Sequence, residues 1–143
     1  MTVYRGSNCV SASGTAREDA DTGQHVESFH PQTLEVGRTV RTATSISDIL
    51  VASGSARIAL EYADSLWQVD EVSLALIRTI DVGHEPIALA FLDDSVWVVN
   101  QKDAVVRRVN PGSGHVEELI EVGHTLEGIA AANDLLWVAV REP

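Results

Sequence analysis

The chain has 143 residues, and 45% of them are hydrophobic, which excludes a disordered acidic tail and allows one domain with a buried core. Its formal net charge is −11, from 21 acidic against 10 basic residues, which argues against nucleic acid and against anionic membrane surfaces as partners. Cys9 is the only cysteine, so no internal disulfide forms, and no apolar run approaches the roughly 20 residues of a membrane helix.

Met1 to about Val10 repeats nothing downstream and lacks the apolar stretch of a secretory signal, so residues 1–11 are expected to be a disordered, non-repeat segment. From residue 12 to residue 143 the chain reads as a repeat with a period of 40. Ala12-Ser13-Gly14 and Ala16-Arg17 return as Ala52-Ser53-Gly54 and Ala56-Arg57. Leu34 returns as Leu74, Arg38-Thr39 as Arg78-Thr79, and Val69-Asp70 as Val109-Asn110. The clearest stretch needs no gap: Ile80, Val82-Gly83-His84, Ala90, Asp94 and Trp97-Val98 return as Ile120, Val122-Gly123-His124, Ala130, Asp134 and Trp137-Val138.

The first unit is partial, over 22–41. It supplies third and fourth strands at about His25 to Phe29 and Leu34 to Val40, while its second-strand position, Ala16 to Ala20, holds Arg17, Glu18 and Asp19 and is too polar to bury. The next unit, 46–81, is complete. Leu74 to Ile80 could be read as helix, but it is short and the repeat places it over His115 to Ile120, a strand after a Pro-Gly turn. The unit 86–121 predicts four strands in order. They are Pro86 to Leu92, the nearly continuous apolar Ser95 to Asn100, Ala104 to Asn110, and His115 to Glu121. Asp93-Asp94, Gln101 to Asp103 and Asn110-Pro111-Gly112-Ser113-Gly114 are the turns. The last unit, 126–140, supplies only first and second strands and ends in Leu136-Trp137-Val138-Ala139-Val140.

Four short β-branched or aromatic strands in each 40 residues predict an all-β fold of β-propeller blades, each of four antiparallel strands, with about three repeats. Rings of blades usually number about 4–8, so three form a partial propeller or half of a six-bladed dimeric ring. The complementary ends suggest self-association into a closed ring, with end strands exchanged between two copies. A truncated fragment of a larger multidomain protein is a further alternative.

Asp64-Ser65-Leu66-Trp67-Gln68-Val69-Asp70, Arg78-Thr79-Ile80-Asp81-Val82-Gly83, Asp94-Ser95-Val96-Trp97-Val98-Val99-Asn100, Val109-Asn110-Pro111-Gly112-Ser113-Gly114 and His30-Pro31-Gln32-Thr33-Leu34 resemble the YVTN (YncE-like) β-propeller repeat. The resemblance covers roughly 22–140. It implies a platform that binds a protein or small ligand, often exported or attached to other domains, without shared catalytic residues. A related lineage, the virginiamycin B lyase type, is a metal-dependent lyase on a seven-bladed ring; its histidine and acidic residue find no match here. Arg57 departs from the pattern by standing where Trp97 and Trp137 stand, as though that unit were degenerate or its buried position edge-like.

His84 and His124 occupy equivalent positions. The link from fourth strand to next first strand and the link from second to third strand open on one face. That face would gather His84, Glu85, Asn100, Gln101, Lys102 and His124 as a ligand-binding surface. Two histidines and a carboxylate could hold a divalent metal. A duplicated structural Gly-His turn explains them more simply, because the third equivalent position is Thr44. Asp93 and Asp94 read as turn formers on the opposite face, Trp97 and Trp137 as core, and Cys9 as incidental. No Gly-x-Ser-x-Gly elbow, phosphate loop or dinucleotide fingerprint occurs, so no catalytic residue is assigned and no cofactor is expected. The favoured reading is a non-enzymatic binding or scaffold module. A metal-dependent lyase or hydrolase using the histidine face is the alternative from another class.

Overall fold

The computed structural model describes residues 2–5, 8–13, 24–42 and 44–142, the first two stretches in backbone only. Among the described residues fourteen strands run in the order β1 (Thr2–Arg5), β2 (Asn8–Ser13), β3 (Gln24–Phe29), β4 (Val36–Thr42), β5 (Ile46–Ala52), β6 (Ser55–Leu60), β7 (Ser65–Asp70), β8 (Leu76–Asp81), β9 (Pro86–Leu92), β10 (Ser95–Asn100), β11 (Val105–Val109), β12 (Val116–Glu121), β13 (Thr125–Ala132) and β14 (Leu135–Arg141). One 3-10 turn, Glu61–Ala63, is the only helical element among the described residues. Leu76–Asp81 is a strand, as the repeat requires.

The strands pair antiparallel, each with its chain neighbour, into three four-stranded sheets, β1–β4, β5–β8 and β9–β12, and a two-stranded sheet, β13–β14. The first strands β5, β9 and β13 lie beside one another, so the sheets fan out from a common inner edge as blades. The described residues therefore form an all-β arc of propeller blades, three of four strands and a half-blade of two.

Residues 2–5 and 8–11 fall in β1 and β2. β1 and β2 pair with each other, and β2 pairs with β3, placing Cys9 opposite Phe29 and Ala12 opposite Val26. The fixed offset of 40 looks for this strand at Ala16 to Ala20, which lies outside the described residues. The sheet takes its second strand earlier because ten residues, 14–23, separate β2 from β3, against four, 101–104, between β10 and β11. A variable connection is what a rigid offset cannot follow.

Among the described residues, the hairpins between first and second strands turn on two residues of positive φ: Ser53-Gly54, Asp93-Asp94 and Asn133-Asp134. That is the type I′ geometry, whose twist matches the flanking strands, and Asp, Asn and Gly are the residues that tolerate it. The link between third and fourth strands is a side-chain-capped turn. Asp70 Oδ1 accepts the N–H groups of Val72 and Ser73 at 2.9 and 2.8 Å, and Asn110 Oδ1 accepts those of Gly112 and Ser113 at 2.9 and 3.0 Å.

The core lies between blades rather than within one. On β6 every residue is buried, and alternate side chains serve opposite neighbours. Ala56, Ile58 and Leu60 meet Val26 and Val40 of the first blade, whereas Ala59 joins Leu89, Val96 and Val98 of the third. β10 divides in the same way: Val96 and Val98 face the second blade, while Val99 and Trp97 pack with Leu126, Ile129 and Val138 of the half-blade. A strand with two buried faces has no polar face to show, which is why β10 reads as a nearly continuous apolar run.

Arg57 is neither degenerate nor edge-like. It is 1% exposed. Its guanidinium donates to the carbonyl of Ala52, and at 3.4 Å to that of Pro111 in the next blade. Trp97 and Trp137, at the same repeat position, donate their indole N–H to Leu92 and Ala132 at 3.2 and 3.3 Å, the carbonyls equivalent to Ala52. Arginine here reproduces the repeat's own hydrogen bond. Burial, and then the charge of Arg78, hold its pKa below the ordinary arginine value.

Candidate functional site

The links that join fourth to first strands and second to third strands meet at one end of the blades. Between the second and third blades they are tied by a polar network centred on His84. Its Nδ1 lies 2.8 Å from Asp64 Oδ2, its backbone N–H donates to Asp103 Oδ2 at 3.1 Å, and its carbonyl accepts from Asn100 Nδ2 at 3.1 Å. Asp64 Oδ1 also accepts the N–H of Glu85 at 3.1 Å, and the Glu85 carbonyl accepts the N–H of Gln101 at 3.0 Å. The Glu85 N–H, then His84, hold the Asp64 carboxyl below the usual carboxylate range, with Lys102 adding a smaller attraction. Asp103 pairs with Arg107 at 3.0 Å.

The network follows from local sequence. Asp64 has φ 54°, a left-handed conformation that aspartate tolerates and that turns its carboxylate back toward the incoming link. Gly83 has φ 85°, and a Cβ there would meet the Arg107 guanidinium at 2.6 Å, so glycine leaves room for the Arg107–Asp103 pair. Asn100 is completely buried at the end of β10; its amide nitrogen is satisfied by His84, and its Oδ1 has no partner.

The next repeat keeps the backbone and changes the chemistry. Ala104 stands at the position of Asp64 with the same φ of 54°. The carbonyls of both residues accept an N–H at 3.1 Å, from Val122 and Val82 respectively. With alanine there, His124 has no carboxylate facing it from that turn. A pocket of about 330 Å³ opens instead, lined by Gln101, Lys102, Ala104, Gly123, His124, Thr125 and Arg141. Gln101 Nε2 crosses its floor to the Leu126 carbonyl at 2.9 Å, and Arg141 pairs with Glu127.

Of the six residues singled out from sequence, His84, Glu85, Asn100 and Gln101 are joined by hydrogen bonds, while Gln101, Lys102 and His124 line the pocket. Asp64, Asp103, Arg107 and Arg141 were not singled out. The signal for Asp64 was present as a difference between repeats, aspartate against Ala104. Among the described residues no three His, Cys, Asp or Glu side chains are grouped to hold a metal ion, and His84 is already engaged by Asp64. Asp93 and Asp94 lie in the β9–β10 hairpin. Among the described residues no helix is long and apolar enough to cross a membrane.

No family profile and no curated protein matches the chain. Solved structures do. A chain of hydrazine synthase from Kuenenia stuttgartiensis is 21% identical with a TM-score of 0.64, over 71% of this chain and 31% of that one. The WD40 domain of Pan2 from Neurospora crassa aligns at a TM-score of 0.76 and 10% identity, covering 97% of this chain and 42% of its own. BamB from Moraxella catarrhalis gives 0.75 and 10%, over 97% and 39%. The chain thus spans less than half the length of these structures. At such identities they establish the fold: a β-propeller arc.

Proposed function

We propose that the chain is a non-enzymatic propeller module of the YVTN repeat type that binds a carboxylate-bearing ligand, as a small molecule or an acidic side chain of a protein, in the pocket beside His124. The observation that carries this reading is the contrast between two equivalent histidines. His84 is held by the carboxylate of Asp64, whereas the turn that should hold His124 offers Ala104 and an open pocket with Lys102 at its rim. A carboxylate from outside would take the place that Asp64 takes one repeat earlier, with charge-assisted hydrogen bonds from cationic neighbours. The propeller fold shared with Pan2 and BamB supports a platform role and says nothing of the ligand.

Succinate is a suitable probe, followed by isothermal titration and by the His124 ring resonances. The expected result is saturable binding with Kd on the order of 1 mM, typical of one or two such contacts on an exposed surface. Lys102→Ala should weaken it about tenfold, the worth of one charge-assisted hydrogen bond. Ala104→Asp should abolish it by supplying the missing carboxylate from within the chain. Titration without saturation, or saturation indifferent to Ala104→Asp, rejects the reading.

A further inference from the structure

β13 and β14 are the first two strands of a blade, and no third strand lies beside β14 among the described residues. One face of β14 carries Trp137, 56% exposed, beside the exposed Leu135, and Val140 on the opposite face is also open. A shallow apolar depression runs along β13 and β14, lined by Gly128, Ile129, Ala130, Trp137, Val138 and Ala139. An unpaired strand edge beside such a face is a template for another chain.

At the other end of the arc, β3 and β4 are third and fourth strands, and the strand paired with β3 is β2, of sequence NCVSAS. The equivalent strand in the third blade is β10, SVWVVN, and β14 reads LLWVAVR. Strands between two blades are buried on both faces and favour β-branched and aromatic residues. By that criterion β14 suits the place beside β3 better than β2 does.

We propose that two copies of this chain exchange these strands. β13 and β14 of each copy displace β1 and β2 of the other from β3 and β4, giving a closed ring of six blades about a two-fold axis. The exchanged strands share only Thr125 and Arg141 with the lining of the His124 pocket. The repeat fixes the register. Val96 faces Val109 in the third blade and Ala56 faces Val69 in the second. One repeat later and one earlier, Leu136 faces Phe29 of the second copy, Ala139 faces its Val26, and Val140 faces its His25. Trp137 then lies over Ile49 and Ile58 of the second copy, the residues equivalent to the Ile129 and Val138 that pack with Trp97. The strands brought together, β13 and β14 of one copy beside β3 and β4 of the other, hold eight, seven, six and seven residues, in the range of the roughly 20–30 residues per side of a stable interface.

The test is the solution mass of the full chain by light scattering. The expected mass is twice 15.4 kDa. Trp137→Ala should return it to 15.4 kDa, while Tyr62→Ala, a residue 74% exposed and outside the exchanged strands, should leave the dimer intact. Independently, His25→Cys with Val140→Cys in a Cys9→Ser background should oxidise to a covalent dimer, and His25→Cys with Leu135→Cys, out of register, should not. A 15.4 kDa particle at every concentration up to the millimolar range overturns the proposal. So does a dimer that ignores Trp137→Ala and forms no bond between positions 25 and 140. Neither outcome touches succinate binding, which is read separately.

Discussion

The turn between third and fourth strands ends on a left-handed residue in every blade: Leu34 at φ 60°, Leu74 at 56° and Gly114 at 76°. Leucine there costs about 1–2 kcal/mol relative to an unstrained conformation, and glycine does not. The two leucines differ in burial, 75% exposed against 4%. Leu34→Gly should therefore raise stability by about 0.5–1 kcal/mol. Leu74→Gly should lower it by about 2 kcal/mol, because lost burial outweighs relieved strain. Urea denaturation of the two variants decides the matter, and equal effects would refute the argument. Asp48 offers a pH-dependent case. Burial pushes its carboxyl above the ordinary 3.8, against the pull of the Leu89 and Ile49 N–H groups, each 2.8 Å away. In the window from about 3.8 up to the folded value the native state binds more protons than the unfolded, so stability falls as pH rises. Asp48→Asn keeps an acceptor for Leu89 and removes the buried charge. Its melting temperature should exceed that of the wild type at pH 7 and equal it at about pH 3, below the unfolded value.

At the scale of the strand, one position recurs in three chemistries of packing. Trp97 is clamped between blades with Arg108 5.9 Å from its ring centroid, Trp137 lies open, and Arg57 is buried as a cation among carbonyls. Because the hydrogen bond to the hairpin carbonyl is common to all three, Arg57→Trp should keep it while removing the desolvation cost, and should stabilise by about 1 kcal/mol. Arg57→Ala, which leaves a cavity and a free carbonyl, should cost about 3 kcal/mol. Thermal unfolding of both variants checks the sign. The same position shows what was legible. β9 and β10 follow from apolar runs bounded by Asp93-Asp94, because strand and turn signals there are local. β2 was not legible, since NCVSAS carries little β signal and its pairing with β3 bridges ten intervening residues. Around His84 the repeat gathers Glu85, Asn100 and Gln101 on one face, but Asp64 and Asp103 were missed, because they reach it only once two blades are side by side.

The whole molecule is an arc in which each blade packs only on its neighbours, so its stability is graded rather than uniform. β6 is buried along its whole length and sits between two apolar clusters. β12 has no buried residue; Val116, Leu119 and Ile120 lie on its surface, interrupted by Glu117, Glu118 and Glu121, which keep that outer edge unattractive to other strands. Opening β12 breaks one ladder of hydrogen bonds and exposes little new apolar surface, whereas opening β6 separates two clusters at once. Amide hydrogen exchange should therefore rank β6 and β10 slowest, β8 intermediate, and β4 and β12 fastest among the strands of complete blades. The unpaired amides of β14 report on the ends of the arc. In an isolated chain they exchange as rapidly as those of β12. Within a six-bladed pair they acquire the protection of β10, and dilution restores the fast rate. A flat profile from β4 to β12 would mean that the blades unfold as one unit and that the graded account fails.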